Sequence, residues 1–168
     1  RENLSAIVVR GRVVVVGGES PLQTKSLVEV WDRRENAWLE GPNTGVRLRQ
    51  VHLAERNGLV VISGSSVSSS GTGALLVDLR ENQISPANGL RGIGVDGLYP
   101  LSSGDVMVWA KRAGELNIGI WSPERRNVNW TCSEIPIPQR DDLLQILPCD
   151  DDQFLLLYVR PDGLCGAR

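Results

Sequence analysis

Few residues in this sequence have the types and spacing that catalysis or metal binding requires. The chain has one histidine, His52, and three widely spaced cysteines without a CxxC pair, so we predict no metal site. Adjacent carboxylates occur at 141–142 and 150–152, but a glycosidase would need two of them across a sugar pocket. We expect 150–152 to form a solvated tight turn and His52 to be a structural core residue. The sequence therefore predicts neither catalytic residues nor a cofactor.

Arginine dominates the basic residues, with 16 Arg against 2 Lys. A planar guanidinium suits bidentate recognition of carboxylate or phosphate, although the base composition of a genome produces the same bias. The net charge of −2 favours neither nucleic acid nor a membrane surface as a partner. The scattered cysteines favour a reducing compartment, so we expect an intracellular location, cytoplasmic rather than secreted, with the nucleus as an alternative.

The elements that must position these residues repeat along the chain. An apolar run at 13–16, followed by Gly17 and Gly18, recurs 46 residues later at 59–64. Two further copies stand at 106–110 and 154–159. In the first three copies a polar loop, a second apolar strand and a tight turn follow the run. Weaker strands open each unit, at 4–9, 51–55, 98–101 and 143–147.

Each unit thus contains four short strands separated by turn residues, which is typical of a propeller blade. No segment sustains a helical apolar period, so the sequence predicts almost no helix. The continuous apolar runs indicate strands that are covered on both faces by neighbouring blades. We expect residues 13–18 and 59–64 to be the innermost strands of their blades.

The first unit resembles the kelch motif, which consists of a double glycine, an aromatic residue, an asparagine and a tryptophan at comparable intervals. The matching residues are Gly17, Gly18, Trp31, Asn36 and Trp38. Later units retain fewer of them: Gly64 and Asn82 in the second, and Trp121 and Trp130 in the third. Asparagine at a tight turn tolerates a left-handed backbone, and a large tryptophan suits the packing between blades. We expect Trp38 and Trp130 to be buried there.

The resemblance implies an all-β fold, a β-propeller of four-stranded antiparallel blades that is either partial or part of a larger ring. The expected blades span about 4–42, 50–88 and 97–136, and an incomplete blade at 143–168 stops where its third strand should begin. An open arc would expose apolar blade faces. We therefore expect the remaining blades to come from the rest of a longer chain or from another subunit.

Kelch domains similar to this chain usually hold acidic peptides on the face that carries the links between blades. By that resemblance the candidate partner-binding arginines are Arg47, Arg49, Arg91 and Arg140. A hydroxyl-rich loop on the same face would add hydrogen bonds through Ser66, Ser68 and Ser69. The alternative is that these arginines only solvate loops and that the serine loop is a flexible insertion. The arginine pairs at 33–34 and 125–126 are expected on the opposite face.

The predicted function is a non-catalytic module for protein–protein interaction, of the substrate-recognition or adaptor type. Its partner would be a protein, with an acidic peptide segment as one form, and neither nucleic acid nor membrane would bind directly. One alternative is a structural subunit embedded in a large multi-protein assembly. Another is a propeller enzyme of the galactose-oxidase or sugar-processing type. The copper site of a galactose oxidase needs two histidines, and this chain has only His52.

Overall fold

The computed structural model describes residues 2–19, 27–66, 72–112, 115–136, 142–150, 153–160 and 163–167. The regular elements in these ranges are strands, which form four antiparallel sheets, here called units 1 to 4. Within the described residues there is no helix with the length and apolar character needed to cross a membrane.

Each unit is a sheet whose strands follow chain order. Unit 1 contains β1 (Glu2–Val9), β2 (Arg12–Glu19), β3 (Leu27–Asp32) and β4 (Ala37–Asn43). Unit 2 contains β5 (Leu48–Arg56), β6 (Leu59–Ser66), β7 (Thr72–Asp78) and β8 (Gln83–Pro86). Unit 3 contains β9 (Gly97–Pro100), β10 (Val106–Arg112), β11 (Glu115–Trp121) and β12 (Val128–Pro136). Unit 4 contains β13 (Asp142–Asp150), β14 (Gln153–Arg160) and β15 (Gly163–Ala167).

The third strand of unit 4 is thus present, although the sequence predicted that the chain stops where this strand should begin. β15 pairs with β14 from Arg160 opposite Gly163 to Leu156 opposite Ala167. The three complete units confirm the prediction of an all-β fold with four-stranded antiparallel sheets.

The sheets radiate from their first strands. β1 lies against β5 and β5 against β9, whereas the outer strands β4 and β8 barely touch. The first strands are therefore innermost, and the prediction that residues 13–18 and 59–64 are innermost is wrong. Those residues belong to β2 and β6, the second strands of their sheets. A continuous apolar run indicates that a strand is buried between two sheets, but it does not indicate how far that strand lies from the centre.

The apolar core lies in the interfaces between neighbouring units. The first seam, between units 1 and 2, is built mainly from valines: Val9, Val14, Val16, Val28, Val30, Leu48, Val51, Val60, Ile62 and Val77. The second seam, between units 2 and 3, sets one large ring among small residues: Ala54, Val61, Ala74, Ala87, Leu90, Val95, Val106, Val108 and Trp121. In β6, successive side chains alternate between the two seams, which explains why this strand is apolar throughout.

The two ends of the sheets carry different connections. The β1–β2 and β3–β4 turns, with their equivalents in units 2 and 3, lie at one end, here called the turn face. The β2–β3 loop and the links between units lie at the other end, here called the loop face. On the turn face Asn36 and Asn82 have φ values of 49° and 52°, which confirms the left-handed turn predicted for Asn36.

The tryptophans of units 1 and 3 differ in their surroundings. Trp38 is 53% exposed, so the prediction that it is buried between blades is wrong. Its ring centroid lies 5.4 Å from that of Trp31, on the face of unit 1 turned away from unit 2. Trp130 lies on the corresponding face of unit 3, where it is half-buried and packs against the second seam. Trp130 is less exposed than Trp38 because unit 2 covers this face of unit 3. None of the described residues forms a sheet that covers the corresponding face of unit 1.

Candidate functional site

The arginines predicted from the sequence lie on the loop face as far as the structure describes them. Arg47 immediately precedes β5, Arg49 lies near its start, and Arg91 is in the link between β8 and β9. All three are exposed. Arg140, Ser68 and Ser69 lie outside the described residues, and Ser66 is the last residue of β6. The register of β5 and β6 places Ser66 opposite Leu48, between Arg47 and Arg49, whereas Arg91 lies on a separate link.

On the opposite, turn face the structure gathers a different set of arginines around one groove. The groove has a volume of about 760 Å³ and crosses the first seam. Five arginines line it: Arg10, Arg12, Arg33, Arg34 and Arg80. Asp32 is the carboxylate among its described lining residues, so positive charge prevails there although the whole chain has a net charge of −2. We call this feature the arginine groove.

Arg10 bridges the two units at the base of the groove. Its Nη2 donates a hydrogen bond to the backbone oxygen of Asn57, at 3.1 Å, in the β5–β6 turn. The guanidinium lies directly over Gly58, where any side chain would collide with it. The glycine at this position therefore allows a unit 1 arginine to close over a unit 2 turn.

Asp32 fixes the turn that carries Arg33 and Arg34. Its Oδ1 accepts backbone hydrogen bonds from Arg34, at 2.8 Å, and Glu35, at 3.4 Å. Its Oδ2 lies 3.5 Å from Nη2 of Arg12. The hydrogen bond from the Arg34 amide is the main cause that lowers the pKa of Asp32, and the charge of Arg12 adds to it. Asp32 is therefore ionised at neutral pH and holds the turn in a fixed form.

Asp78 has the same role in unit 2. Its Oδ1 accepts backbone hydrogen bonds from Arg80, at 2.8 Å, and Glu81, at 3.2 Å. These bonds lower the pKa of Asp78, and the bond from Glu81 has the largest effect. The turn thus held presents Arg80 toward the arginine groove. Arg33, Arg34 and Arg80 are exposed, and within the described ranges no carboxylate lies within ion-pair distance of their side chains.

At the second seam the turn face is closed by an ion pair. Nη2 of Arg56, on unit 2, lies 2.9 Å from both carboxylate oxygens of Glu124, on unit 3. The Arg56 side chain is only 12% exposed. The pKa of Glu124 is lowered, first by a hydrogen bond from its own backbone amide and then by Arg56. A carboxylate of the chain itself thus neutralises the arginine at this seam.

Equivalent turns explain the difference between the seams. The left-handed residue of the turn is Asn36 in unit 1, Asn82 in unit 2 and Arg126 in unit 3, with φ values of 49°, 52° and 54°. Two residues earlier in each turn stand Arg34, Arg80 and Glu124. Unit 3 therefore has an acid where units 1 and 2 have a base. At the first seam, Arg80 of unit 2 and Arg10 of unit 1 both line the groove.

The arrangement suits the binding of an anion. Guanidinium groups from three turns converge on one groove, and each can donate two parallel hydrogen bonds to a carboxylate or phosphate. Sequence reasoning missed this site, because the arginines stand far apart in the chain. Among the described residues no group of three histidine, cysteine, aspartate or glutamate side chains could hold a metal ion.

Comparison with known proteins agrees with the repeat pattern. Residues 1–45 match the family model described as Kelch motif. No curated protein matches the chain in sequence. Among solved structures, the fold is similar to that of MPT-1, a GDP-Man-dependent mannosyltransferase from Leishmania mexicana, with a TM-score of 0.50 and 14% identity. That match covers 98% of this chain and 66% of the other.

At this identity the likeness to the mannosyltransferase concerns the fold alone, and this chain spans slightly less than two thirds of the length of that protein. The kelch match falls on unit 1, the unit in which the sequence motif is complete, and units 2 and 3 repeat its four-stranded sheet. Kelch repeats are generally non-catalytic and serve protein interaction. Residues 1–45 therefore carry a kelch motif, and units 1 to 3 are four-stranded antiparallel sheets consistent with kelch blades.

Proposed function

We propose that this chain binds a partner protein without catalysing a reaction, as a substrate-recognition or adaptor module. The observation that supports this most directly is the exposure of arginines at the sheet ends of successive units, with Arg47, Arg49 and Arg91 on the loop face. Exposed guanidinium groups can take carboxylates of a partner in charge-assisted, bidentate hydrogen bonds. Arg140 and the serine-rich loop, with Ser66, Ser68 and Ser69, belong to the same proposed surface.

Site-specific photo-crosslinking in the full-length protein tests this function. A photoreactive residue at position 49 or 91 should capture a discrete protein in the cells that produce the chain. The same residue at position 125, in the exposed β11–β12 turn of unit 3, is the control because it lies on the opposite face. Capture from 49 and 91 but not from 125 would support the loop face. No capture from 49 or 91 would contradict the proposed binding there.

A second candidate function is a structural subunit, and the outward face of unit 1 favours it. Leu4, Val8 and Trp38 on this sheet are 44%, 63% and 53% exposed. Val8 is paired with Val13, and Val13 with Trp31, so the apolar side chains form one continuous face across three strands. In unit 3 the corresponding face is covered by unit 2. We propose that another four-stranded unit, from a longer chain or another subunit, covers it in unit 1.

Binding of a hydrophobic dye to residues 1–168 tests this second candidate. An uncovered apolar face should bind the dye, and Leu4→Lys together with Val8→Lys should abolish most of the fluorescence. Leu39→Lys is the control, because Leu39 is similarly exposed, at 43%, but is paired with Val30 on the opposite face of the sheet. A monodisperse monomer that does not bind the dye would contradict this candidate.

A further inference from the structure

The arginine groove concentrates like charges that Asp32, the carboxylate among its described lining residues, does not balance. Arg10 is tied to Asn57, and Arg12 lies near Asp32. The remaining groups, Arg33, Arg34 and Arg80, enter the groove from two different units. Like charges that line one groove repel one another and destabilise the compact state, and a bound anion relieves this repulsion. The groove is therefore prepared for an external negative group.

The second seam shows which negative group fits such a position. There, both oxygens of the Glu124 carboxylate engage Arg56 at 2.9 Å across the same kind of interface. The equivalent turn position in unit 2 is Arg80, so the first seam lacks the carboxylate that unit 3 supplies to the second. A carboxylate from another molecule would offer the arginines of the groove the same kind of contact that Glu124 offers Arg56.

We propose that the arginine groove binds an acidic peptide segment of a partner protein, whose carboxylates engage Arg33, Arg34 and Arg80. This inference rests on the protein-binding function proposed above and adds a second contact surface, on the turn face, with a defined ligand chemistry. Its volume of about 760 Å³ accommodates a few side chains of an extended segment. The Asp32 and Asp78 turns fix the backbone that carries these arginines, so only the side chains need to be ordered on binding.

The composition of the groove favours a peptide over a nucleic acid. Its described lining contains no aromatic side chain on which a base could stack. The apolar lining residues are Val9 and Leu79, which suit the aliphatic part of a glutamate side chain.

Fluorescence anisotropy with a labelled glutamate-rich peptide, and with its glutamine counterpart, tests the inference on the full chain. We expect binding of the glutamate peptide only, with an affinity that falls as salt is added.

The pair Arg33→Gln and Arg34→Gln, and separately Arg80→Gln, should weaken binding about tenfold, as expected for the loss of charge-assisted hydrogen bonds. Arg125→Gln is the matched control, an exposed arginine on the same face but outside the groove lining. Circular dichroism of each variant verifies the fold, and salt dependence of the unmodified chain gives an independent readout.

The outcomes separate this inference from the proposed function. Equal affinity for the two peptides, or binding that both groove variants retain, would overturn the inference. Tighter binding of a single-stranded oligonucleotide than of the glutamate peptide would overturn it in favour of a nucleic-acid site. If peptide binding fails while crosslinking from positions 49 and 91 persists, only the groove proposal is wrong. If the peptide binds the groove but those positions capture nothing, the loop face is wrong and the groove stands.

Discussion

The two seams between the first three units have the same architecture but differ in charge and in packing. At the second seam Arg56 is matched by Glu124, and the turn face is electrostatically closed. At the first seam the equivalent turn presents Arg80, and five arginines line an open groove. The two seams differ at two aligned positions, because unit 3 has Glu124 where unit 2 has Arg80, and unit 2 has Arg56 where unit 1 has Val9. These differences give the second seam an internal ion pair and the first seam a groove lined by arginines.

The cores of the two seams differ as well. The first seam interdigitates many valines, so the removal of one side chain leaves a small space. The second seam sets the fully buried Trp121 among Ala54, Ala74 and Ala87. Trp121 Nε1 also donates a hydrogen bond to the backbone oxygen of Asn88, at 2.8 Å. The second seam thus depends on one side chain, which also anchors the link that carries Arg91.

The largest expected effect is therefore on stability at the second seam. Trp121→Ala should lower the free energy of unfolding by about 3–5 kcal/mol, as found for large aromatic truncations. Ile62→Val, at the first seam, should cost about 0.5–1.5 kcal/mol. Denaturant unfolding followed by circular dichroism measures both. Similar losses for the two variants would contradict the view that the second seam depends on a single ring.

A charge exchange between equivalent turns should have the next largest effect. Arg80→Glu places in unit 2 the acid that unit 3 carries and should weaken binding of a glutamate-rich peptide by about tenfold or more. Glu124→Arg should do the reverse and create a second, weaker site at the second seam. Titration calorimetry measures the affinity and the number of sites. Unchanged binding in Arg80→Glu would show that the groove is not the site.

Much of the fold follows from the sequence because each strand and turn carries its own signal. The apolar runs locate β2, β6, β10 and β14, and asparagine at the turns predicts the left-handed residues at 36 and 82. The radial order was not predictable in the same way. The innermost strands β1 and β5 carry polar residues, Ser5 and His52 among them, so hydrophobicity points to their neighbours instead.

The arginine groove lay beyond sequence reasoning for a different reason. Arg10, Arg33 and Arg80 come from two repeats and approach one another only because turns of adjacent units meet at a seam. The sequence does contain one indication of the groove. At the aligned turn position, units 1 and 2 have Arg34 and Arg80, whereas unit 3 has Glu124. The exposure of Trp38 was also unpredictable from the motif, since burial of that residue depends on a sheet that would cover unit 1 from outside.

Removal of the groove carboxylate should strengthen binding modestly. Asp32→Asn keeps a side-chain oxygen that can accept the Arg34 and Glu35 amide hydrogen bonds but removes the negative charge near Arg12. We expect affinity for the glutamate-rich peptide to rise about twofold, as for a partly exposed ion pair. Asp105→Asn is the control, because Asp105 lies in the β9–β10 turn of unit 3, outside the groove lining. Weaker binding in Asp32→Asn would show that Asp32 acts mainly by fixing the turn.

The smallest expected effect is a pH dependence of stability from His52. Burial lowers the pKa of His52 below 6.5, and the nearby Asp96 opposes this only in part. The unfolded chain takes up this proton more readily, so stability is complete above the unfolded pKa and decreases as pH falls through and below about 6.5. Thermal unfolding at about pH 7.5 and 5.5 should show the decrease, and His52→Gln should reduce it. The lowered carboxylate pKa values act only at more acidic pH.

Nuclear magnetic resonance mapping of a glutamate-rich peptide on the isotope-labelled chain tests the central claim most directly. We predict that the largest changes in backbone amide chemical shift fall in the three turns that form the arginine groove, at Arg10, Arg33, Arg34 and Arg80. Additional shifts at Arg47, Arg49 and Arg91 would report the loop-face contact proposed above. Shifts concentrated at those loop-face residues, with an unperturbed turn face, would contradict the groove as the site of acidic recognition.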